Sequence, residues 1–133
     1  MANLVPILRY RDPAAAVEWL CSALAFKSHF VAEDGGFVVH AQLRLGDALI
    51  FIGPDHEDDK YGMHSRLSLD GTNQCVYIAT DENIDAHCAR ARKAGAEIVT
   101  SPHDTPYGGR GYSCFDLERH VWSVGSYMGE PLE

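Results

Sequence analysis

Apolar positions recur along this chain with two different spacings, and the spacings alternate in a fixed order. Leu4–Tyr10 reads as a strand. Asp12 then caps a helix with its carboxylate, and Pro13 suits the first helical position. Val17, Leu20, Cys21 and Leu24 follow at i, i+3, i+4 and i+7, the spacing of one buried helical stripe. Lys27–Glu33 is a short strand that ends in the turn Asp34-Gly35-Gly36. Phe37–Leu45 and Ala48–Gly53 form a hairpin across Gly46-Asp47, and period-two alternation is plain in the first arm.

The order then repeats. Between the copies runs a polar, breaker-rich stretch from Pro54 to Asn73, with an acidic run over Asp55–Asp59. Gln74–Thr80 is the next strand. Ile84, His87, Cys88 and Ala91 share a helical face, and that helix stops at Gly95. Ala96–Thr100, Gly111–Leu117 and His120–Tyr127 are the last three strands. Thus Leu4–Ile52 and Cys75–Tyr127 have the same plan. Asp12 and Asp81 open the two helices, Phe26 and Ala96 start the strands after them, and Asp47 and His120 stand at the start of the last strands. The second copy is longer around Tyr107–Gly111.

A duplicated strand-helix-strand-strand-strand unit predicts an α+β fold of two βαβββ modules. The 133 residues suit a single domain, with modules over 4–53 and 74–128 and a connection over 54–73. Each four-stranded sheet has a helix for one face only, so two modules would curve their open faces around a cleft.

Charge and cysteine content narrow the function. Eleven Lys+Arg against nineteen Asp+Glu give a net charge of -8, which disfavours a nucleic-acid partner. The start Met-Ala-Asn-Leu-Val-Pro lacks the features of a signal peptide, and no apolar run has membrane-spanning length, so no membrane partner is expected. Cys21, Cys75, Cys88 and Cys114 show no C-x-x-C spacing; a reducing, cytoplasmic setting is expected.

Several motifs in this order resemble the vicinal oxygen chelate superfamily, which holds glyoxalase I, bleomycin-resistance proteins and extradiol dioxygenases. They are Leu8-Arg9-Tyr10-x-Asp12 with Ala15-x-x-x-Trp19-Leu20, then His40-Ala41-x-Leu43-Arg44-Leu45-Gly46-Asp47-Ala48. In the second half they are Val76-Tyr77, Thr80-Asp81, His87-x-x-x-Ala91-x-x-x-Gly95-Ala96-Glu97-Ile98-Val99, Asp104-Thr105-Pro106-Tyr107-Gly108-x-Arg110-x-Tyr112 and His120-Val121-Trp122-Ser123. The nearest likeness is to the small bleomycin-resistance and glyoxalase-like proteins. One departure is the turn Leu117-Glu118-Arg119-His120, where relatives have a Pro and a Gly in the places of Leu and Arg.

The resemblance implies a paired-module cleft, often formed between chains, and hence a homodimer. Metal-dependent members hold a divalent ion with His or Glu from the first and last strand of each module. Carried over, those positions are Val5, Ile50, Cys75 and Ser123, and neither these nor their neighbours supply the usual ligands. No metal and no cofactor are therefore expected.

Among the histidines, His56 and His64 fall in the connection, His29 and His87 on an edge strand and a helix, and His103 in a loop; each reads as a surface or locally hydrogen-bonded residue. His40 differs, because alternation sends Ala41, Leu43 and Leu45 under the helix and His40, Gln42 and Arg44 toward the cleft. Val5, Ile7 and Arg9 join them from the first strand, Cys75 and Tyr77 from the fifth, and Val121, Ser123 and Gly125 from the last. The inserted loop adds Tyr107, able to stack on a flat ligand. Its Arg110 either fixes a ligand carboxylate or braces the loop by pairing with an acidic side chain. The expected ligand contacts are His40, Gln42, Tyr77, Tyr107 and Arg110, in a largely apolar cleft.

The function expected is metal-free binding of a small molecule. The alternative is a glyoxalase-like lyase or isomerase, or a dioxygenase-related enzyme with a divalent metal, in which His40 acts as base.

Overall fold

The computed structural model describes residues 1–132 and contains two four-stranded sheets, each with one helix. The first module runs β1 (Ile7–Tyr10), α1 (Pro13–Leu24), β2 (Lys27–Asp34), β3 (Phe37–Leu45) and β4 (Ala48–Pro54). The second runs β5 (Val76–Ala79), α2 (Ile84–Lys93), β6 (Glu97–Asp104), β7 (Arg110–Phe115) and β8 (Val121–Gly125). The sheet orders β1-β4-β3-β2 and β5-β8-β7-β6 are the same, and in each the first and last strands pair in parallel. The duplication expected from the sequence is present. The sheets do not close on one another. Among the described residues no helix is long and apolar enough to cross a membrane.

Local chemistry sets the helix ends. Asp12 accepts a hydrogen bond from the Ala15 amide, with Pro13 at the first helical position. The second helix is not opened by Asp81 as the repeat suggests. Asn83 caps it, its side-chain carbonyl accepting from the Ala86 amide, while Asp81 lies before the helix. Helix α1 ends at Ala25, a left-handed residue (φ 64°) where a side chain is disfavoured. Ala25→Gly is expected to raise stability by about 0.5–1 kcal/mol in urea melts, the relief of αL strain exceeding the added chain entropy.

Tyr10, Leu20, Leu24, Leu43 and Ile52 from the first module form one buried cluster with Ile84, Tyr112, Cys114 and Trp122 from the second. The helices meet in the middle. Arg90 on α2 donates to the Ala23 carbonyl of α1, and Phe26 lies edge-on to Trp122 at 5.7 Å. His87 is in this core and not at the surface, with Nδ1 2.6 Å from the Tyr112 hydroxyl. Burial lowers its pKa, favouring the neutral imidazole.

A second tie is polar. The β7–β8 turn, where the sequence departs from its relatives, holds two buried carboxylates, Asp116 and Glu118. Asp116 accepts from the Tyr10 hydroxyl (2.6 Å), the Trp122 indole (3.0 Å) and the amides of Glu118 and His120. Glu118 accepts from the amides of Arg11 and Asp12 and from the Ser65 hydroxyl. Arg119 takes the left-handed conformation (φ 65°) at the position where relatives carry Gly, and its guanidinium lies 4.2 Å from the centre of the Phe115 ring. The turn thus clasps the β1–α1 junction of the other module.

Candidate functional site

Because both helices face inward, each sheet has a face without a helix, and the two faces differ in chemistry. On the first sheet, pairing puts Phe30, Gln42, Phe51 and Ile7 in one row across four strands. Two residues along the same strands, Ala32 pairs with His40 and Arg9 with Gly53, and one step past the last β3–β4 pair, Ala41–Ile52, brings these two pairs side by side. A bulge at Val39 lets Val38, Ala41 and Leu43 all enter the core while His40 and Gln42 turn away from it. His40 packs edge-on to Phe51 at 5.4 Å and near Phe30 at 6.3 Å. With the Gln42 amide donating to His40 Nε2 (3.1 Å), the neutral ring carries its proton on Nδ1.

Arg9 belongs to this face too. Its Nη1 lies where a side chain at Gly53 would stand, 3.1 Å from that Cβ position. Its Nε donates to Asp59 (2.7 Å), which also accepts from the amides of Tyr61 and Met63. The hydrogen bond from Arg9 is the first reason the Asp59 carboxyl titrates low, at about 2. The connection therefore folds over the end of the first sheet and is anchored on Arg9.

The second sheet's open face holds a cavity of about 270 Å³. Thr100, Ser113 and Ser123 supply hydroxyls from a row shared with Tyr77, so this wall is more polar than the apolar cleft expected from alternation. Gly125 makes room for Tyr77, whose hydroxyl lies 2.5 Å from the Cβ position and donates to the Tyr127 carbonyl (2.7 Å). Tyr107 stands edge-on to Tyr127 at 5.1 Å. Burial, followed by the neighbouring Tyr107, raises the Tyr77 pKa, so the phenol stays protonated.

Of the five residues expected to touch ligand, the cavity brings together Tyr77, Tyr107 and Arg110. His40 and Gln42 lie on the other sheet. The Arg110 guanidinium is committed to carboxylates: Nε and Nη2 donate to Asp85 (2.8 and 3.0 Å) and Nη1 to Asp104 (3.2 Å). This is the bracing role, tying the loop to the first turn of α2. Alternation along the first strand places Arg9 on the cleft face without marking a role for it. The Gly at position 53, opposite it, was the signal available.

The positions that hold metal in metal-dependent relatives do not fit a divalent ion. Ile50 is buried in the core, one residue out of register with the carried-over position; its neighbours Leu49 and Phe51 share the parity of the open face. With Ile7, Cys75, Tyr77 and Ser123, these offer hydrocarbon, one thiol and hydroxyls. Among the described residues no three His, Cys, Asp or Glu side chains gather as a metal site.

Comparison with known proteins fits this architecture. An uncharacterized protein of Mycobacterium bovis is 30% identical over 129 residues, covering 96% of this chain and 84% of its own length. The crystal structure of TioX from Micromonospora sp. ML1 is 29% identical, with a TM-score of 0.73 over 96% of this chain and 100% of its own. At 12% identity, the fosfomycin resistance protein FosX from Mesorhizobium loti shares the fold, with a TM-score of 0.69 over 96% of this chain and 92% of its own. The family model described as glyoxalase/bleomycin resistance protein/dioxygenase superfamily matches residues 3–124, and with two βαβββ modules in this order the chain belongs to that superfamily.

Proposed function

We propose that this protein binds a small molecule without a metal, in clefts formed between two copies of the chain. The observation that carries this reading is the division of the open faces. An aromatic face with His40 and Gln42 lies on one sheet, and a hydroxyl-lined cavity with Tyr77 and Tyr107 lies on the other. Phe30 (51% exposed) and Phe37 (77%) leave the first face uncovered within one chain. A second copy that lays its second sheet over the first sheet of its partner gives each cleft an apolar wall and a polar one. In such a cleft His40, Gln42, Tyr77 and Tyr107 meet the ligand, and Arg110 holds the loop that carries Tyr107.

The test is native mass together with metal content. Light scattering is expected to give twice the 14.7 kDa chain mass. Phe30→Glu puts a carboxylate into the apolar interface and is expected to give monomers that keep the native circular dichroism spectrum. Elemental analysis of chelator-free protein is expected to find less than about a tenth of an equivalent of divalent metal, well short of what a structural or catalytic site retains. Stoichiometric metal, or a monomeric wild type, rejects this reading.

A second reading is catalysis by a glyoxalase-like lyase or isomerase. The place of His40 on the open face beside Phe51 favours it; to act as a base the ring has to take the proton on Nε2, so the Gln42 amide must first turn away from that nitrogen. Turnover of a 2-oxoaldehyde hemithioacetal to an α-hydroxy thioester that is lost in His40→Ala would select this reading.

A further inference from the structure

We propose that the first sheet contains an anion subsite, made by Arg9 and His40 over the notch at Gly53, that takes the carboxylate of a flat apolar acid. The inference rests on the small-molecule reading above and names the chemical class of the ligand.

Three features build the subsite. The first is a fixed guanidinium. Asp59 takes only the Nε edge of Arg9, while Nη1 and Nη2 have no acceptor among the described residues. That leaves the end of the fork, with two parallel N–H groups, for a carboxylate. The Arg9 side chain is 13% exposed, so an anion there is partly withdrawn from water and its hydrogen bonds are strengthened. Asp59 holds the fork in place before a ligand arrives, which removes much of the entropy cost of ordering an arginine.

The second is room. Gly53 lies opposite Arg9 in the strand register, and the next step of the β3–β4 register places His40 on its other side. Neighbouring strands are about 4.8 Å apart, so the Arg9 and His40 backbones stand roughly 10 Å apart, and the Arg9 guanidinium reaches over Gly53 into the space between them. His40, with Nε2 taken by Gln42, keeps Nδ1–H as a free donor. The third is the adjacent row. Ile7 and Phe51 form an apolar strip beside Arg9 and Gly53, with Gln42 and then Phe30 continuing the row, and there the body of an aromatic acid would lie. With a net charge of -8 the protein as a whole does not attract anions, so recognition has to come from local donors such as these.

Arg110, the cation that sequence reasoning offered for a ligand carboxylate, is saturated by Asp85 and Asp104. Arg9 is saturated on one edge only. The geometry moves the acid to the other sheet.

The experiment is an NMR titration of the isotopically labelled protein with 2-naphthoate and with 2-naphthamide, which share the ring system and differ in charge. Naphthoate is expected to bind about tenfold more tightly or better, the size of one charge-assisted pair, and to shift the Gly53 and His40 amides and the Arg9 Nε–H. Arg9→Gln is expected to bring naphthoate down to the amide's affinity and leave the amide within about twofold. Gly53→Ala adds a Cβ 3.1 Å from Arg9 Nη1 at an ordinary backbone angle and displaces the end of the fork while keeping its charge; it is expected to weaken naphthoate about fivefold even if Arg9→Gln loosens the loop. Equal binding of the two probes, or a preference that survives in both variants, overturns the anion subsite and leaves the small-molecule reading standing. If neither probe binds the dimer, the anion subsite falls, and the small-molecule reading is judged by its mass and metal content alone.

Discussion

Asp116→Ala is expected to lower stability by about 4 kcal/mol or more, a large fraction of what a domain of this size has. The carboxylate is buried and accepts from four donors at once: the Tyr10 hydroxyl, the Trp122 indole and the amides of Glu118 and His120. Each hydrogen bond to a charged group contributes about 1.5–3 kcal/mol, and each donor left unpaired in the core costs about 1–3 kcal/mol. These values do not add fully, because the vacated space allows some donors to find water or turn aside. Two of the donors are on the turn itself, one is on β8, and Tyr10 ends β1 of the other module. Removing Asp116 therefore unlocks the turn and separates the modules together. Asp116→Asn keeps the shape but offers one acceptor oxygen where two are used, so it is expected to fall between wild type and alanine, at about 2 kcal/mol. Glu97→Ala breaks the exposed Glu97–Arg119 ion pair next to the same turn and is expected to change stability by less than about 0.5 kcal/mol. Urea melts with near-ultraviolet dichroism of Trp122 measure all three. A loss under about 1 kcal/mol in Asp116→Ala would remove Asp116 as the clasp between modules.

That clasp marks the limit of what the sequence discloses. Apolar periodicity is a local signal. It located both helices and all eight strands, and it separated the Ala41–Leu43–Leu45 face from the His40–Gln42 face, because each depends on spacing within a few residues. Asp116 and Tyr10 are 106 positions apart, and no local pattern links them. The turn at Leu117–His120 stood out only as a departure from relatives, and its carboxylates were not distinguished from ordinary surface acids. Asp81 misled for the opposite reason. The duplication put it in the place of Asp12, but the second copy begins its helix two residues later than that match implies, and Asn83 takes the capping role. Ile50 was a register error of one, and one residue is enough to exchange the core for the open face. Arg110 and Arg9 could not be separated by sequence, since the difference between them is which carboxylates lie alongside. Asp85 approaches Arg110 from another element, and Asp59 reaches only one edge of Arg9.

The protein is expected to lose stability steeply above about pH 10, because several groups are kept neutral by the folded core and ionise freely once it opens. Burial is the main reason the Tyr10 pKa is raised, and the adjacent Asp116 and Glu118 carboxylates raise it further. Burial likewise raises Tyr112, and it pushes the Cys114 thiol up to about 12. The sign follows from proton counts. Between the unfolded and folded pKa values the unfolded chain has released protons that the folded chain still holds. Unfolding then releases protons, and raising the pH favours it. Stability from these groups is complete below about pH 8.5, the ordinary thiol value, and falls as pH rises through the ordinary phenol value near 10. Each group contributes about 1.4 kcal/mol per pH unit once its unfolded form is fully ionised, so three together can reach about 4 kcal/mol per unit. Tyr10→Phe isolates one of them. At neutral pH it should cost about 1–2 kcal/mol, since Asp116 loses a charge-assisted donor, but its stability should decline less steeply above pH 10 than that of wild type. The two curves should therefore converge as pH rises. If they instead stay parallel from pH 8 to 11.5, Tyr10 ionises no differently in the folded and unfolded chain, and the alkaline loss has to come from the other buried groups.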